Sequence, residues 1–276
     1  MWLQDQHAFE LLRDFIWEKS GLYFESTKRQ YFWRRVQNRM RLLDCFDGKE
    51  YYRILRSDTS ETELRELLNV LTTTETYFFR NEPQLRAFQE EILPEMLRRK
   101  RAQGDCYLRF WSAGCSSGEE PYTLGMILRE HLPQIEQWNI TVVGTDINTR
   151  MVQKAQEGVY HVRSLRETPD RYRAKYFTVE GDQYRLHDVI KKMVTFRVGN
   201  LMHAEDASLM HNVDCIFCRN VLIYFNVESC QKVITMFYET MATQGYLLLG
   251  HSESLYRISA IFKLMKLKHS LVYYKE

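Results

Sequence analysis

From residue 106 onward the chain alternates short β-prone runs with longer helical ones, and this alternation restricts its fold more than any other feature. Residues 106–112, 140–147, 194–198, 213–218 and 246–250 are the predicted strands; residues 120–131, 149–157 and 227–243 are the predicted helices. A strand that passes through a helix to the next strand needs a crossover, and crossovers build a parallel sheet covered by helices on its faces. Near the end, residues 262–267 and 271–274 are strand-like with no helix between them, which predicts a hairpin that adds an antiparallel strand. Residues 168–192 interrupt the alternation with Tyr176-Phe-Thr-Val, Glu-Gly-Asp and Gln-Tyr-Arg-Leu, the pattern of a small inserted β-hairpin. The predicted fold class is therefore α/β, with a small antiparallel insertion.

The first seventy residues have a different period. Ala8, Leu11, Leu12 and Phe15 recur at helical spacing, and Gly21 follows as a stop. Ser26 or Thr27 is placed to cap a helix whose apolar side holds Phe32, Val36, Met40 and Leu43. Ser60-Glu-Thr-Glu63 is a candidate capping box ahead of Leu64, Leu67, Leu68 and Leu71. Residues 1–71 are thus expected to form an all-helical unit, residues 72–82 a linker, and residues 83–276 the α/β unit. Pro94 is expected to kink or split a helix over 83–101.

In open α/β sheets ligands bind beyond the carboxyl ends of the strands. Several strand ends here carry polar groups. Ala113-Gly-Cys-Ser-Ser-Gly-Glu-Glu-Pro121 has two glycines that let backbone approach a ligand, and a proline suited to the first helical turn. Its spacing is not the G-x-G-x-x-G of dinucleotide enzymes, which disfavours a nicotinamide oxidoreductase. Asp146 ends the second strand, where a carboxylate can hold ribose hydroxyls. Asn200-Leu201 and Arg219-Asn220 close two further strands. Each residue alone passes for a loop residue; together they describe a nucleotide-like site.

These residues carry a resemblance. Thr72-Thr-Thr-Glu-Thr-Tyr-Phe-Phe-Arg80, Trp111–Tyr122, Gly144-Thr-Asp-Ile147, Asn200-Leu201, Phe217-Cys-Arg-Asn-Val-Leu-Ile-Tyr-Phe225 and Gly250-His-Ser-Glu253 resemble, in order and spacing, the CheR-type chemoreceptor glutamate O-methyltransferases. The resemblance implies a Rossmann-like domain that uses S-adenosylmethionine and yields S-adenosylhomocysteine, behind a helical receptor-binding domain. It implies that Thr74, Thr76, Arg80, Glu119, Asp146, Asn200, Leu201, Arg219 and Asn220 hold the cofactor. Thr74 departs from the family, which usually has Asn there. Tyr224 is the candidate at the reaction centre, with an ordinary buried tyrosine the equal alternative.

Net charge is only +2, yet from Ser26 to Leu43 there are Lys28, Arg29, Arg34, Arg35, Arg39 and Arg41 and no acid. A local basic face on a nearly neutral protein suits an acidic partner. With the resemblance, Arg34, Arg35, Arg39 and Arg41 become candidates for steering the acidic helical bundle of methyl-accepting chemoreceptors. The mild overall charge and the lack of an Asn-Pro-Pro-Tyr-type motif disfavour a nucleic-acid methyltransferase. A non-catalytic module that binds S-adenosylmethionine remains an alternative. The short Glu180-Gly-Asp182 connection favours a form that does not depend on a receptor C-terminal peptide tether. No apolar run reaches the ~20 residues of a membrane span, and no signal peptide is evident, so a cytoplasmic protein is expected. The six cysteines sit mostly in apolar runs and are read as reduced core residues; Cys215-Ile-Phe-Cys218 alone is weak evidence for zinc, and no metal is expected.

Overall fold

The computed structural model describes residues 5–203 and 210–276. Four helices come first: α1 (Gln6–Ser20), α2 (Arg29–Leu42), α3 (Gly48–Ser57) and α4 (Thr62–Leu71). Asp5 caps α1 by accepting the Ala8 N–H, and Gly21 ends it at φ 75°, the left-handed conformation glycine adopts without strain. Two capping expectations are corrected. No side chain caps α2, which is entered through a 3-10 turn over Ser26–Lys28, and Thr27 donates to Glu25 instead. At α4 the Glu63 N–H goes to Asp58, 2.7 Å away, and the Glu63 carboxylate turns inward rather than back to the chain end. Phe9, Leu12, Ile16, Phe32, Trp33, Val36 and Tyr51 fill the core of this unit, with Phe9 and Phe32 edge to face at 5.3 Å. Burying each such side chain stabilises by about 1.5–3 kcal/mol.

A helical rod follows as α5 (Glu82–Ala87) and α6 (Leu93–Ala102), joined by a π-helical turn over Phe88–Ile92. Pro94 lies at the start of α6. It lacks an N–H and crowds the preceding turn, and the widened turn absorbs both defects without breaking the rod.

The α/β unit is built on β1 (Tyr107–Ala113), β2 (Asn139–Asp146), β6 (Val194–Val198), β7 (Val213–Cys218), β8 (Met241–Leu249), β9 (Lys263–Lys266) and β10 (Leu271–Tyr274). The sheet order is β6-β2-β1-β7-β8-β10-β9; the first five strands are parallel, and β10 and β9 are antiparallel. Alternate residues of β1 face opposite layers. Phe110 packs with α7 (Glu119–His131) and the α5–α6 rod, whereas Trp111 packs with α11 (Val227–Thr240). α8 (Thr149–Glu157) follows β2. α11 ends three residues before its expected bound and β8 begins five residues early, at Met241.

The insertion holds three strands rather than a lone hairpin. β3 (Val159–His161), β4 (Phe177–Glu180) and β5 (Gln183–Leu186) form a separate antiparallel sheet in the order β3-β5-β4. α9 (Asp170–Tyr176) and α10 (Asp188–Lys191) flank it. The whole is a Rossmann-like α/β domain preceded by a helical one. Strand order reverses between β1 and β7, which sets the carboxyl ends of β1, β2 and β7 around a crevice.

Candidate functional site

A cavity of about 560 Å³ occupies that crevice. Its floor is the loop after β1. Gly114 has φ 81°, and a Cβ there would lie 2.3 Å from Val221 Cγ2, so only glycine lets the two loops meet this closely. The Gly114 and Cys115 N–H groups both donate to the Thr145 carbonyl, tying the loop to the end of β2.

Asp146 lines the cavity and accepts from Ser116 N (2.7 Å) and Asn148 N (2.8 Å). Burial pushes its carboxyl above the ordinary value, and the two backbone donors pull it back. Thr74, Thr76 and Arg80 also line the cavity. The Thr74 carbonyl accepts from Ser116 Oγ at 3.1 Å, so this residue anchors the glycine loop through its backbone. Arg80 donates to the Glu75 carbonyl at 3.0 Å, and its own carbonyl accepts from Arg219.

Arg219 is buried and reaches Glu120 Oε2 at 3.2 Å. Burial lowers its affinity for the proton, and the charge of Glu120 restores part of it. Its Nε is buried without a protein partner. Asn220 sits at φ 61°; Phe79 (φ 59°), Asn81 (φ 62°) and Ser116 (φ 48°) are further non-glycine left-handed residues in the segments that wall the cavity. Asn200 lines the pocket while donating to the Lys19 carbonyl (2.7 Å) and accepting from Met202 N (3.0 Å), and Leu201 lies beside it.

One expected site residue lies elsewhere. Glu119 is 1% exposed and accepts from Ser117 Oγ at 2.8 Å, behind the loop, with its carboxyl pushed up by burial. The neighbouring Glu120 faces the cavity instead. Adjacent residues on a helix point ~100° apart, and the sequence does not show which one the crevice meets.

Sequence reasoning also missed the roof, which the helical unit supplies. Ser20, Tyr23, Phe24, Lys28 and Tyr31 line the cavity. Leu22 pairs with Phe225 in an antiparallel bridge, and Tyr23 N donates to the Tyr224 carbonyl at 2.9 Å. Trp17 Nε1 donates to Ser229 Oγ at 2.9 Å. Tyr224 is half-buried on the wall, beside the Arg219-Asn220 segment. On the far side Asn148 Nδ2 reaches Thr72 Oγ1 (2.8 Å) and the Asn69 carbonyl (3.0 Å), latching α4 to α8. No motif marks residues 20–31 as pocket-forming.

The four candidate arginines of α2, Arg34, Arg35, Arg39 and Arg41, are not equivalent. Arg34 and Arg41 are exposed, and seven residues apart they share one helix face. Arg35 donates to the Val70 and Thr72 carbonyls and stacks on Tyr31. Arg39 is held by Glu63, with Nε–Oε1 at 3.0 Å and Nη2–Oε2 at 2.5 Å, and by Glu66. The expectation that Arg39 presents a free charge is therefore corrected, since it is spent on an internal ion pair.

Among the described residues no group of acidic, histidine or cysteine side chains could hold a metal ion, and no helix is long and apolar enough to cross a membrane. The cysteines are free, and all but Cys106 are buried.

A family model described as CheR methyltransferase, SAM binding domain, matches residues 74–271. A second, described as CheR methyltransferase, all-alpha domain, matches residues 7–72. Chemotaxis protein methyltransferase 2 of Vibrio cholerae is 39% identical, over 95% of this chain and 91% of that protein. The chemotaxis protein methyltransferase of Borreliella burgdorferi is 31% identical over 87% and 85%, and chemotaxis protein methyltransferase 1 of Pseudomonas aeruginosa is 30% identical over 96% and 96%.

Proposed function

This chain belongs to the CheR methyltransferase family, and from that premise we propose that it methylates glutamate side chains on the cytoplasmic helices of chemoreceptors, forming methyl esters. That it is an S-adenosylmethionine-dependent methyltransferase follows from the family; the glutamate acceptor and the ester product are the proposal. The observation that carries it is a cofactor-sized crevice roofed by a helical unit whose α2 leads from the pocket wall at Lys28 and Tyr31 out to the exposed Arg34 and Arg41.

The residues present fit the cofactor. The glycine floor admits close approach, Asp146 offers a carboxylate to ribose hydroxyls, and the buried Arg219 Nε has a hydrogen still to donate. Thr74, Thr76, Arg80, Asn200, Leu201 and Asn220 complete the wall. When bound, S-adenosylmethionine supplies a methyl group already activated on a sulfonium. A glutamate of ordinary pKa, about 4.3, is ionised at neutral pH, so no protein base is required. The chain's task is to orient the acceptor carboxylate and exclude water, and orientation alone lowers such barriers by about 7–11 kcal/mol. We assign the orienting hydroxyl to Tyr224.

Arg34 and Arg41 steer the acidic receptor surface. The β4–β5 turn at Gly181-Asp182 is too short to form a large docking loop, which favours recognition without a receptor-tail tether. The reaction belongs in the cytoplasm, where such receptor helices lie.

The test is incubation with tritiated S-adenosylmethionine and receptor cytoplasmic fragments. Base-labile label on the receptor supports the reading. Intact cofactor binding without label on any receptor overturns it in favour of a binding module. Titration with receptor-tail peptides tests the tether: saturable binding that raises methylation would refute independence.

A further inference from the structure

The motif Gly250-His-Ser-Glu253 lies just beyond β8, and its carboxylate does not line the cavity. The Glu253 side chain instead gathers three backbone donors. Oε2 accepts from Asn220 N at 2.8 Å and Gly250 N at 2.7 Å, and Oε1 accepts from Ile223 N at 3.2 Å. Two of these donors belong to the loop that carries Arg219, Asn220 and Tyr224. Glycine is required at 250, because a Cβ there would lie 2.7 Å from Glu253 Oε2 and 2.9 Å from Asn220 N.

We propose that Glu253 is the positioning residue for methyl transfer, fixing through its two oxygens two different parts of the 219–224 loop. Oε2 holds the left-handed turn at Asn220, which sets the cofactor wall. Oε1 holds Ile223, the middle residue of the 3-10 turn over Leu222–Tyr224, which sets Tyr224. Beyond Tyr224 the strand bridge between Leu22 and Phe225 takes over. The loop is thus clamped by a carboxylate at one end and by the helical unit at the other. An anion suits this post, because one carboxylate accepts several N–H bonds that no neutral side chain of the same size can accept together.

The inference rests on the methyl-transfer reading, and the two oxygens allow it to be tested separately. In Glu253→Gln the remaining oxygen keeps the Asn220 and Gly250 N–H groups, and the amide nitrogen meets the Ile223 N–H donor to donor. Cofactor affinity, measured by calorimetry, stays within about twofold, while kcat falls about tenfold, the size of one lost hydrogen bond. Glu253→Ala loses both ends, so the Kd for S-adenosylmethionine also rises by about tenfold or more. Wild-type kcat in Glu253→Gln, with activity normalised to folded protein, would overturn the proposal whether or not the alanine variant folds. So would equal loss of cofactor affinity in both variants, since that marks a merely structural role. Absence of label on any receptor with the wild-type enzyme would instead refute the parent reading, and the calorimetric comparison would still stand.

Discussion

Replacing Arg39 by alanine should destabilise the helical unit far more than it disturbs receptor docking, and replacing Arg41 should do the reverse. Arg39 and Glu63 have side chains only 13% and 9% exposed, and Tyr51, fully buried, donates to the same carboxylate at 2.6 Å. Removing Arg39 leaves a buried carboxylate with only a phenol and the partial attention of solvent. Breaking such a pair by deleting one partner costs about 3–5 kcal/mol. A whole domain is stable by only about 5–15 kcal/mol, so the loss is a large share of the total. Arg41→Ala, at an exposed site, should stay within about 0.5 kcal/mol of wild type. Urea unfolding of both variants gives the comparison directly. Replacing Arg39 by Met and Glu63 by Leu together removes both charges and should recover most of the loss. On the functional side, Arg41→Glu should lower kcat/KM for receptor fragments at low salt, with the deficit shrinking as salt screens the surface. If Arg39→Ala cost under about 1 kcal/mol while receptor methylation collapsed, the division of labour along α2 would be refuted.

Gly114→Ala should abolish cofactor binding, because the new Cβ would lie 2.3 Å from Val221 at a φ that alanine resists; trimming Val221 to alanine should restore only part of the affinity, and full restoration would show that the backbone conformation does not matter. Asp146→Asn should weaken cofactor binding by about 1–3 kcal/mol, read by calorimetry, because the amide keeps the shape but loses the charge-assisted acceptor. Tyr224→Phe should lower kcat with little change in cofactor affinity; unchanged turnover removes the hydroxyl from the mechanism. A pH dependence follows from Glu130, whose carboxyl is held below the ordinary range by Lys175, 2.7 Å away, and by Tyr176. A depressed carboxyl contributes stability that is full above its unfolded value of about 4.3 and is lost as pH falls through the folded value. Protection factors of the α9 amides, with the intrinsic pH dependence of exchange divided out, should therefore fall under acid conditions, and Lys175→Met should reduce that response.

The sheet was legible because a parallel strand buried on both faces is a nearly continuous apolar run, as 213–218 is, while 140–147 is marked by its β-branched residues. The start of β8 was not, since Met241-Ala-Thr-Gln-Gly245 lacks alternation and pairs with β7 through an irregular register. The crevice floor was legible from glycine and proline positions, which constrain backbone directly. The choice between Glu119 and Glu120 depended on helical phase within α7, whose residues 121–128 are all buried and so show no apolar side. Arg39 looked like Arg41 because charge alone does not reveal a partner 24 residues away. The roof was illegible for a related reason. Tyr23 lies in the connection between α1 and α2 and Tyr31 packs against the helical core, and nothing local says that another domain packs against them.

Under the proposed function, that roof would tie the lifetime of the enzyme to the supply of its cofactor. A ligand that touches residues of both units favours the docked state over the undocked one, so it acts as a reversible cross-link. At a concentration one hundred times its Kd, such a ligand adds about 2.7 kcal/mol to the docked form. When S-adenosylmethionine is scarce the two units lose that link, and opening and proteolysis should quicken together. Protease half-life measured with and without S-adenosylmethionine would then follow the methyl donor concentration.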